Sequence, residues 1–330
     1  MDIDCQLLMR LLEADGPVPL SKLSSDERRE PAHVQAAIEQ LRAAGCVIDV
    51  HPQHGVTLRQ TGLSVWSDLL THRWPGRVVE VYRQTASTQD VVRRIIAARG
   101  RAAQGAIAIA DEQTGGRGRL GRRWHAPAGT ALLFSMASLV PRDADPNQST
   151  HRINHLTLIT AVGAARGIES ACRHAVRVAI KWPNDLLLNG RKLAGILVES
   201  HAAMIDRQPY HAAITGIGMN VGLREEQIPS ELHDVRDHVA SLAMAGVHVD
   251  RLRVLVHVLA ALEEALHEPD DRLLDEWRQR CVTRGEIVTL RNDGRTIRGE
   301  VIDLDPHEGL ILRTESGTIV HLPAATTSTV

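Results

Sequence analysis

The spacing of apolar residues changes twice along this chain, and no single sheet or helical bundle satisfies all three patterns. Leu7, Leu8, Leu11 and Leu12 recur at helical spacing, short apolar runs alternate with helical stretches between residues 105 and 221, and from residue 286 the runs are short and separated by glycine turns. A helix repeats every 3.6 residues and a strand every two, so each pattern demands its own kind of element. At 330 residues the chain also exceeds what one hydrophobic core covers. These constraints predict an α+β multidomain protein divided at residues 1–65, 66–275 and 276–330.

In the first segment Gly16 stops the opening helix, Ser21 offers an N-cap for a second, and Pro31 starts a third that carries Val34, Ile38 and Leu41 on one face as far as Gly45. Apolar runs at 47–50 and 56–58 bracket His51-Pro-Gln-His-Gly55, which predicts a two-stranded wing. Three helices and a hairpin of this size predict a winged helix-turn-helix, a fold that often sets its third helix in the major groove of DNA. Residues 21–45, however, set Lys22, Arg28, Arg29 and Arg42 against Asp26, Glu27, Glu30 and Glu39, a balance of zero. Phosphate contacts supply much of the affinity for DNA, so the segment reads equally as a DNA reader and as a retained structural module.

The net charge of −2 provides no basic field over the whole chain to hold nucleic acid or an anionic membrane. Cys5, Cys46, Cys172 and Cys281 are scattered without metal spacing, no apolar leader precedes them, and no run approaches a membrane span. These features predict a cytoplasmic protein with reduced thiols and no membrane partner. His51 and His54 lack a third ligand nearby in sequence, so no structural metal site is expected.

Strands are expected at 105–111, 132–140, 176–181, 186–188, 193–199 and 210–221, with an amphipathic helix at 154–171. Asn189-Gly190 between apolar runs is a hairpin signal. A central mixed α/β catalytic domain with a largely antiparallel sheet follows, rather than a doubly wound one. Runs at 286–290, 296–304, 309–314 and 318–322 with glycine turns predict a small antiparallel barrel.

Two segments concentrate chemistry. Three lysines stand against thirty-five arginines, and two of them, Lys181 and Lys192, share the run Lys181-Trp-Pro-Asn-Asp-Leu-Leu-Leu-Asn-Gly-Arg-Lys192. Lysine is a compact point charge where arginine is a planar fork, so a chain that favours arginine keeps an ammonium where only that geometry fits, or by chance. The other segment is Gln113-Thr-Gly-Gly-Arg-Gly-Arg-Leu-Gly-Arg-Arg-Trp124. Gly116, Gly118 and Gly121 satisfy a dinucleotide-binding spacing, but Pro127 and Gly129 follow where that motif requires a helix, and the lysine and hydroxyl of a P-loop are absent. What remains is a mobile glycine loop with guanidinium groups suited to carboxylate or phosphate oxygens, or else a solvated basic loop.

Gly116-Arg-Gly-Arg-Leu-Gly-Arg-Arg-Trp124, Lys181-Trp-Pro-Asn-Asp185, Arg191-Lys-Leu-Ala-Gly-Ile-Leu-Val-Glu199 and Gly216-Ile-Gly-Met-Asn220, in this order, resemble the biotin protein ligases, specifically the bifunctional biotin operon repressor type with an N-terminal winged helix and a C-terminal SH3-like β-barrel. The resemblance implies a two-step reaction. Biotin's carboxylate attacks the α-phosphorus of ATP to give biotinyl-5'-AMP and pyrophosphate, with Mg²⁺ on the phosphates. The ε-amine of a lysine on biotin carboxyl carrier protein then attacks the acyl carbon, and AMP leaves.

By the same resemblance, Arg117 and Arg119 of the loop, with Lys192, hold the carboxylate and the α-phosphate, and Lys181 is a supporting cation. Ser87, Thr88, Gln89 and Gln113 meet the ureido ring, Trp124 covers it or packs under the loop, and Gly118 and Gly195 complete the biotin site. Arg122, Arg123, Asn184 and Asn220 join the ATP site. An attacking amine must be neutral, so Asp185 is the residue to orient or deprotonate it, its rival roles being to orient Lys181 or Mg²⁺, or merely to make the turn after Pro183. Ser87 with Asp90 also fits a capping box, which needs no ligand. Where some members stack an aromatic ring on adenine, this chain has Val239 and Ala240 before Ser241-Leu242. The resemblance further implies operator DNA as a partner and a homodimer. A transcriptional regulator that senses an acyl or nucleotide ligand without ligase activity is the alternative reading.

Overall fold

The fold, a computed structural model, is described for residues 3–25, 30–141, 148–228 and 237–329. The first helix, α1 (Cys5–Glu13), is capped by the Asp4 carboxylate, which accepts from Leu7 N at 2.9 Å, and its four buried leucines face inward at the expected spacing. Next come α2 (Leu20–Ser25) and α3 (Pro31–Ala43), with Pro31 in the first turn, where a missing N–H costs nothing. Strands β1 (Val47–His51) and β2 (Gly55–Gln60) form the expected hairpin. Of the charges that set the balance across residues 21–45, Asp26, Glu27, Arg28 and Arg29 lie outside the described residues.

Helix α4 (Trp66–Arg73) leads into β3 (Val79–Thr85), α5 (Thr88–Arg99) and β4 (Ile107–Gln113), a βαβ unit whose two strands are parallel. After β5 (Ala131–Pro141) comes α6 (Gln148–Ala171), which begins six residues before the expected start. The strands β6 (Val178–Lys181), β7 (Asp185–Leu188), β8 (Arg191–Ile205) and β9 (Gln208–Asn220) complete a seven-stranded sheet in the order β3-β4-β5-β9-β8-β7-β6, antiparallel except for β3-β4. The Asn189-Gly190 turn adopts φ of 51° and 76°, left-handed angles that asparagine and glycine tolerate.

Two further helices, α7 (Arg251–Leu266) and α8 (Asp270–Arg280), follow. Helix α6 meets α7 at backbone distance: a Cβ at Gly167 would lie 2.4 Å from Val258 Cα, and one at Gly163 3.0 Å from Leu262. Glycine at these two positions is what lets the helices touch. The Asp250 carboxylate at the start of α7 caps Leu252 N and also takes the Thr61 amide at 2.7 Å, while buried Arg253 donates to the carbonyls of Leu12 and Ala171. The N-terminal helices therefore sit on the C-terminal end of α6 and the start of α7. Among the described residues no helix is long and apolar enough to cross a membrane.

The chain ends in β10 (Ile287–Asn292), β11 (Arg295–Asp305), β12 (Gly309–Thr314), β13 (Ile319–Leu322) and β14 (Thr327–Thr329), a five-stranded antiparallel sheet in the order β13-β12-β11-β10-β14. It is joined to the central body through Asn154 on α6, whose side chain bonds the Ala324 amide and the His307 carbonyl.

Candidate functional site

A cavity of about 150 Å³ opens between the glycine loop and strands β5, β8 and β9. Strand register builds its floor: Gly195 pairs with Gly218, Leu197 with Gly216, and Ser135 with Gly216. The glycines leave room for side chains arriving from above. A Cβ at Gly218 would stand 2.7 Å from Trp124 Cε2, and one at Gly195 3.1 Å from Cζ3, so the indole lies on bare backbone. Trp124 Nε1 is buried and has no hydrogen-bond partner.

One end of the cavity is polar and buried. Ser87, Thr88, Gln89 and Ser135 are each at most 4% exposed. Gln113 Oε1 accepts from Thr88 N at 2.7 Å, and the Thr88 hydroxyl lies 2.7 Å from that of Ser135. Gln89 Nε2 donates to Leu197 O at 3.1 Å, while its Oε1 is buried with no partner. A buried acceptor left unmet costs about 1–3 kcal/mol, so an N–H donor is what this end lacks. Ser87 holds the N-cap position of α5 without a side-chain cap bond, and Asp90 pairs with arginines, so the capping box is not formed.

The glycine loop is a small hairpin rather than open chain. Trp124 N bonds Gly116 O, Gly118 N bonds Arg122 O at 2.7 Å, and the tip turns through Leu120 and Gly121 at φ 56° and 76°. Its arginines divide. Arg117 forms a bidentate bond to Asp90 at 2.8 and 2.9 Å and lies 3.5 Å from Glu199, which holds the Asp90 carboxyl below its usual range. Arg119 instead turns inward, to Asn184 Oδ1 at 3.2 Å and to the carbonyls of Ala324 and Thr327. Burial, partly offset by Asp185 and reinforced by Arg122, brings Arg119 down to about 10, so it remains a cation at neutral pH. Arg122 and Arg123 are exposed at the rim.

Lys192 lines the same cavity as Arg119. Its Nζ is 2.6 Å from Asp185 Oδ1 and 5.8 Å from the Trp124 ring centroid. A bulge places it there: the register shifts between Leu186 and Leu187, and the Lys192 backbone is pinned by Lys192 N to His238 O and Ala240 N to Lys192 O. Fourteen of the sixteen expected site residues line the cavity; Lys181 and Asn220 do not. Lys181 sits on the outermost strand, and Asn220 spends its amide on Ala240 O at 3.1 Å. Ser135, Leu197, Gly216, Gly218 and Ser328 also line it and were not expected. A serine early in the apolar run of β5 and the alternating glycines of β9 were the available signals.

The sequence profile of the biotin/lipoate A/B protein ligase family matches residues 72–220, and that of the biotin protein ligase C terminal domain matches 283–328. The chain is 32% identical over 293 residues to the bifunctional ligase/repressor BirA of Bacillus spizizenii, covering 85% of this chain and 84% of that protein. It is 31% identical over 252 residues to the biotin–[acetyl-CoA-carboxylase] ligase of Mycobacterium tuberculosis, covering 74% and 86%. The biotin protein ligase of Aquifex aeolicus solved in complex with biotin and ATP superposes with a TM-score of 0.59 at 26% identity, covering 76% of this chain and 97% of that one.

Proposed function

The chain belongs to the biotin protein ligase family, and from that membership we infer that it is an ATP-dependent ligase that activates biotin as biotinyl-5'-AMP and transfers it to a lysine of biotin carboxyl carrier protein. The observation that carries this reading is the convergence of Arg119 and Lys192 on one cavity whose other end is a buried polar pocket. Activation brings a carboxylate up to a polyphosphate, and fixed cations in a partly buried site offset the repulsion and the charge that develops on the phosphoryl oxygens.

In this reading Ser87, Thr88, Gln89 and Gln113 meet the ureido ring, with unpartnered Gln89 Oε1 accepting one of its N–H groups. Trp124 packs over the bicycle, Arg119 and Lys192 hold the carboxylate and α-phosphate, and Arg122 and Arg123 reach the outer phosphates. Asp185 orients Lys192 for activation and is placed to receive the acceptor amine's proton afterwards. Arg117, held by Asp90, anchors the loop rather than the anion. Mg²⁺ would ride chiefly on the phosphates, where it neutralises charge, since Asp185 is the one carboxylate lining the cavity among the described residues. Incubation with ATP, labelled biotin and an apo carrier domain is expected to leave acid-stable label on the carrier lysine. Its absence would remove the ligase reading.

We also read residues 1–65 as a winged helix-turn-helix, 66–275 as the catalytic domain and 276–330 as an SH3-like barrel, in a cytoplasmic protein. The three helices and hairpin, together with similarity to a ligase/repressor over 84% of its length, support operator binding as a second activity, for which the family resemblance implies a homodimer. A gel shift against the DNA upstream of the chain's own gene tests it. No shift in the presence of biotin and ATP would reject it.

A further inference from the structure

We propose that Asn154 is a positioning residue for the reaction, acting through the C-terminal segment on Arg119; the inference rests on the ligase reading above. Asn154 is 5% exposed on α6, and both ends of its amide are used. Oδ1 accepts from Ala324 N at 2.8 Å and Nδ2 donates to His307 O at 2.5 Å, so one side chain clips two separate parts of the C-terminal sheet domain to the central body. The Ala324 carbonyl, on the same residue, accepts from Arg119 Nη2, as does Thr327 O, and the adjacent Ser328 lines the cavity. A continuous chain of hydrogen bonds thus runs from α6 to the guanidinium that lines the cavity with Lys192.

Packing alone does not fix Arg119. It also lines a second cavity of about 130 Å³, bordered by Ile153, Thr157 and Ala325 and not by Lys192. With cavity space beside it, the direction of the guanidinium is set by its acceptors, Asn184 Oδ1 and the carbonyls of Ala324 and Thr327, and Asn154 holds the segment that carries the last two. A side chain placed within a fraction of an ångström by such supporting bonds is worth far more to a reaction than the same group left loose. Loss of Asn154 is therefore expected to act as a partial loss of Arg119 without touching any substrate.

The test uses the full-length protein with ATP and labelled biotin, following the rate of adenylate synthesis and the half-life of adenylate retained on the enzyme. Asn154→Ala is expected to shorten the half-life roughly tenfold, the effect of a lost bond supporting a charged group, while synthesis changes by less than about twofold. In an Arg119→Gly background the same change should add nothing, because residues acting in series are not additive. A wild-type half-life in Asn154→Ala, or equal shortening in both backgrounds, would overturn the proposal and leave Asn154 as a general fastener. Should Asn154→Ala fail to fold, amide exchange at Ala324 in Arg119→Gly decides: faster exchange supports the coupling, and unchanged exchange overturns it. If the wild-type protein makes no adenylate at all, the ligase reading itself fails and this inference with it.

Discussion

Lys192 Nζ stands 2.6 Å from Asp185 Oδ1, although the strand register pairs Asp185 with Lys181. The bulge on β8 is the cause, since it turns Lys192 to the face that Asp185 occupies. A carboxylate at that distance aims the ammonium, and the Trp124 ring 5.8 Å away adds a weak cation–π attraction. Lys192→Ala should lower adenylate formation at least about a hundredfold, the usual cost of removing a charge that meets the transition state. Lys192→Arg should recover little of it, because the Cβ position of Gly195 already lies 3.5 Å from Nζ and a planar fork does not fit there. Pyrophosphate release in a single turnover measures both, and an unchanged rate in Lys192→Ala would mean the activating cation lies elsewhere.

Arg119 reaches the cavity from the loop and is held on its far side by the carbonyls of Ala324 and Thr327. It is therefore suited to keeping a finished adenylate in place as much as to making it. Arg119→Gly should raise leakage of activated biotin by about tenfold or more while synthesis falls less. The readout is label on an unrelated lysine-rich protein mixed with the enzyme. Equal losses of synthesis and retention would assign the residue to chemistry alone.

Much of this site was legible in the sequence because its residues are concentrated in short runs whose composition is odd: glycines among arginines, and two of three lysines. The runs did not reveal which members face the same way. Lys181 and Lys192 are neighbours in composition, yet β7 lies between their strands, a separation of about 10 Å set by strand spacing. Arg117 and Arg119 are two residues apart, and one is captured by Asp90 while the other turns inward, a choice made by long-range partners. Helix α7 was not among the expected elements: it is buried nearly all round, from Leu252 through Ala265, so its inward stripe stands out little from an apolar run. The C-terminal strands were clear from their turns, but their contact with Arg119 is a tertiary fact that no local pattern carries.

Gly218 meets the Trp124 indole where any side chain would collide, with three ring atoms within 2.9 Å of the Cβ position. Gly218→Ala must push the ring off the β8–β9 floor, since the neighbouring backbone is fixed by pairing on both sides. Biotin should then bind roughly tenfold more weakly, with the KM for ATP changed much less. Separate titrations of the two substrates check this. A selective rise in the KM for ATP would place the bicycle away from Trp124.

Arg280 and Glu169 form an ion pair 2.6 Å apart with side chains only 5% and 6% exposed, joining α8 to α6, and Glu169 also accepts from Val178 N at 2.7 Å. Burial alone would raise the Glu169 carboxyl, but the bonds from Arg280 and the Val178 amide, with the charges of Arg280 and Arg177, hold it below the usual glutamate value. A carboxyl lowered on folding contributes stability that is complete above its unfolded value and is lost as pH falls through its folded one. Glu169→Ala leaves buried Arg280 with Glu276 but without its closer carboxylate, and leaves the Val178 amide without its acceptor, so it should cost about 2–3 kcal/mol at neutral pH. As the pH falls past the ordinary glutamate range and on through the lowered folded value, the wild-type pair is itself protonated, so the gap between the two proteins should narrow. Urea midpoints followed from neutral pH down through the acid range measure it, and a gap that stays constant or widens on acidification would show that Glu169 is not the charged partner that holds α8 in place.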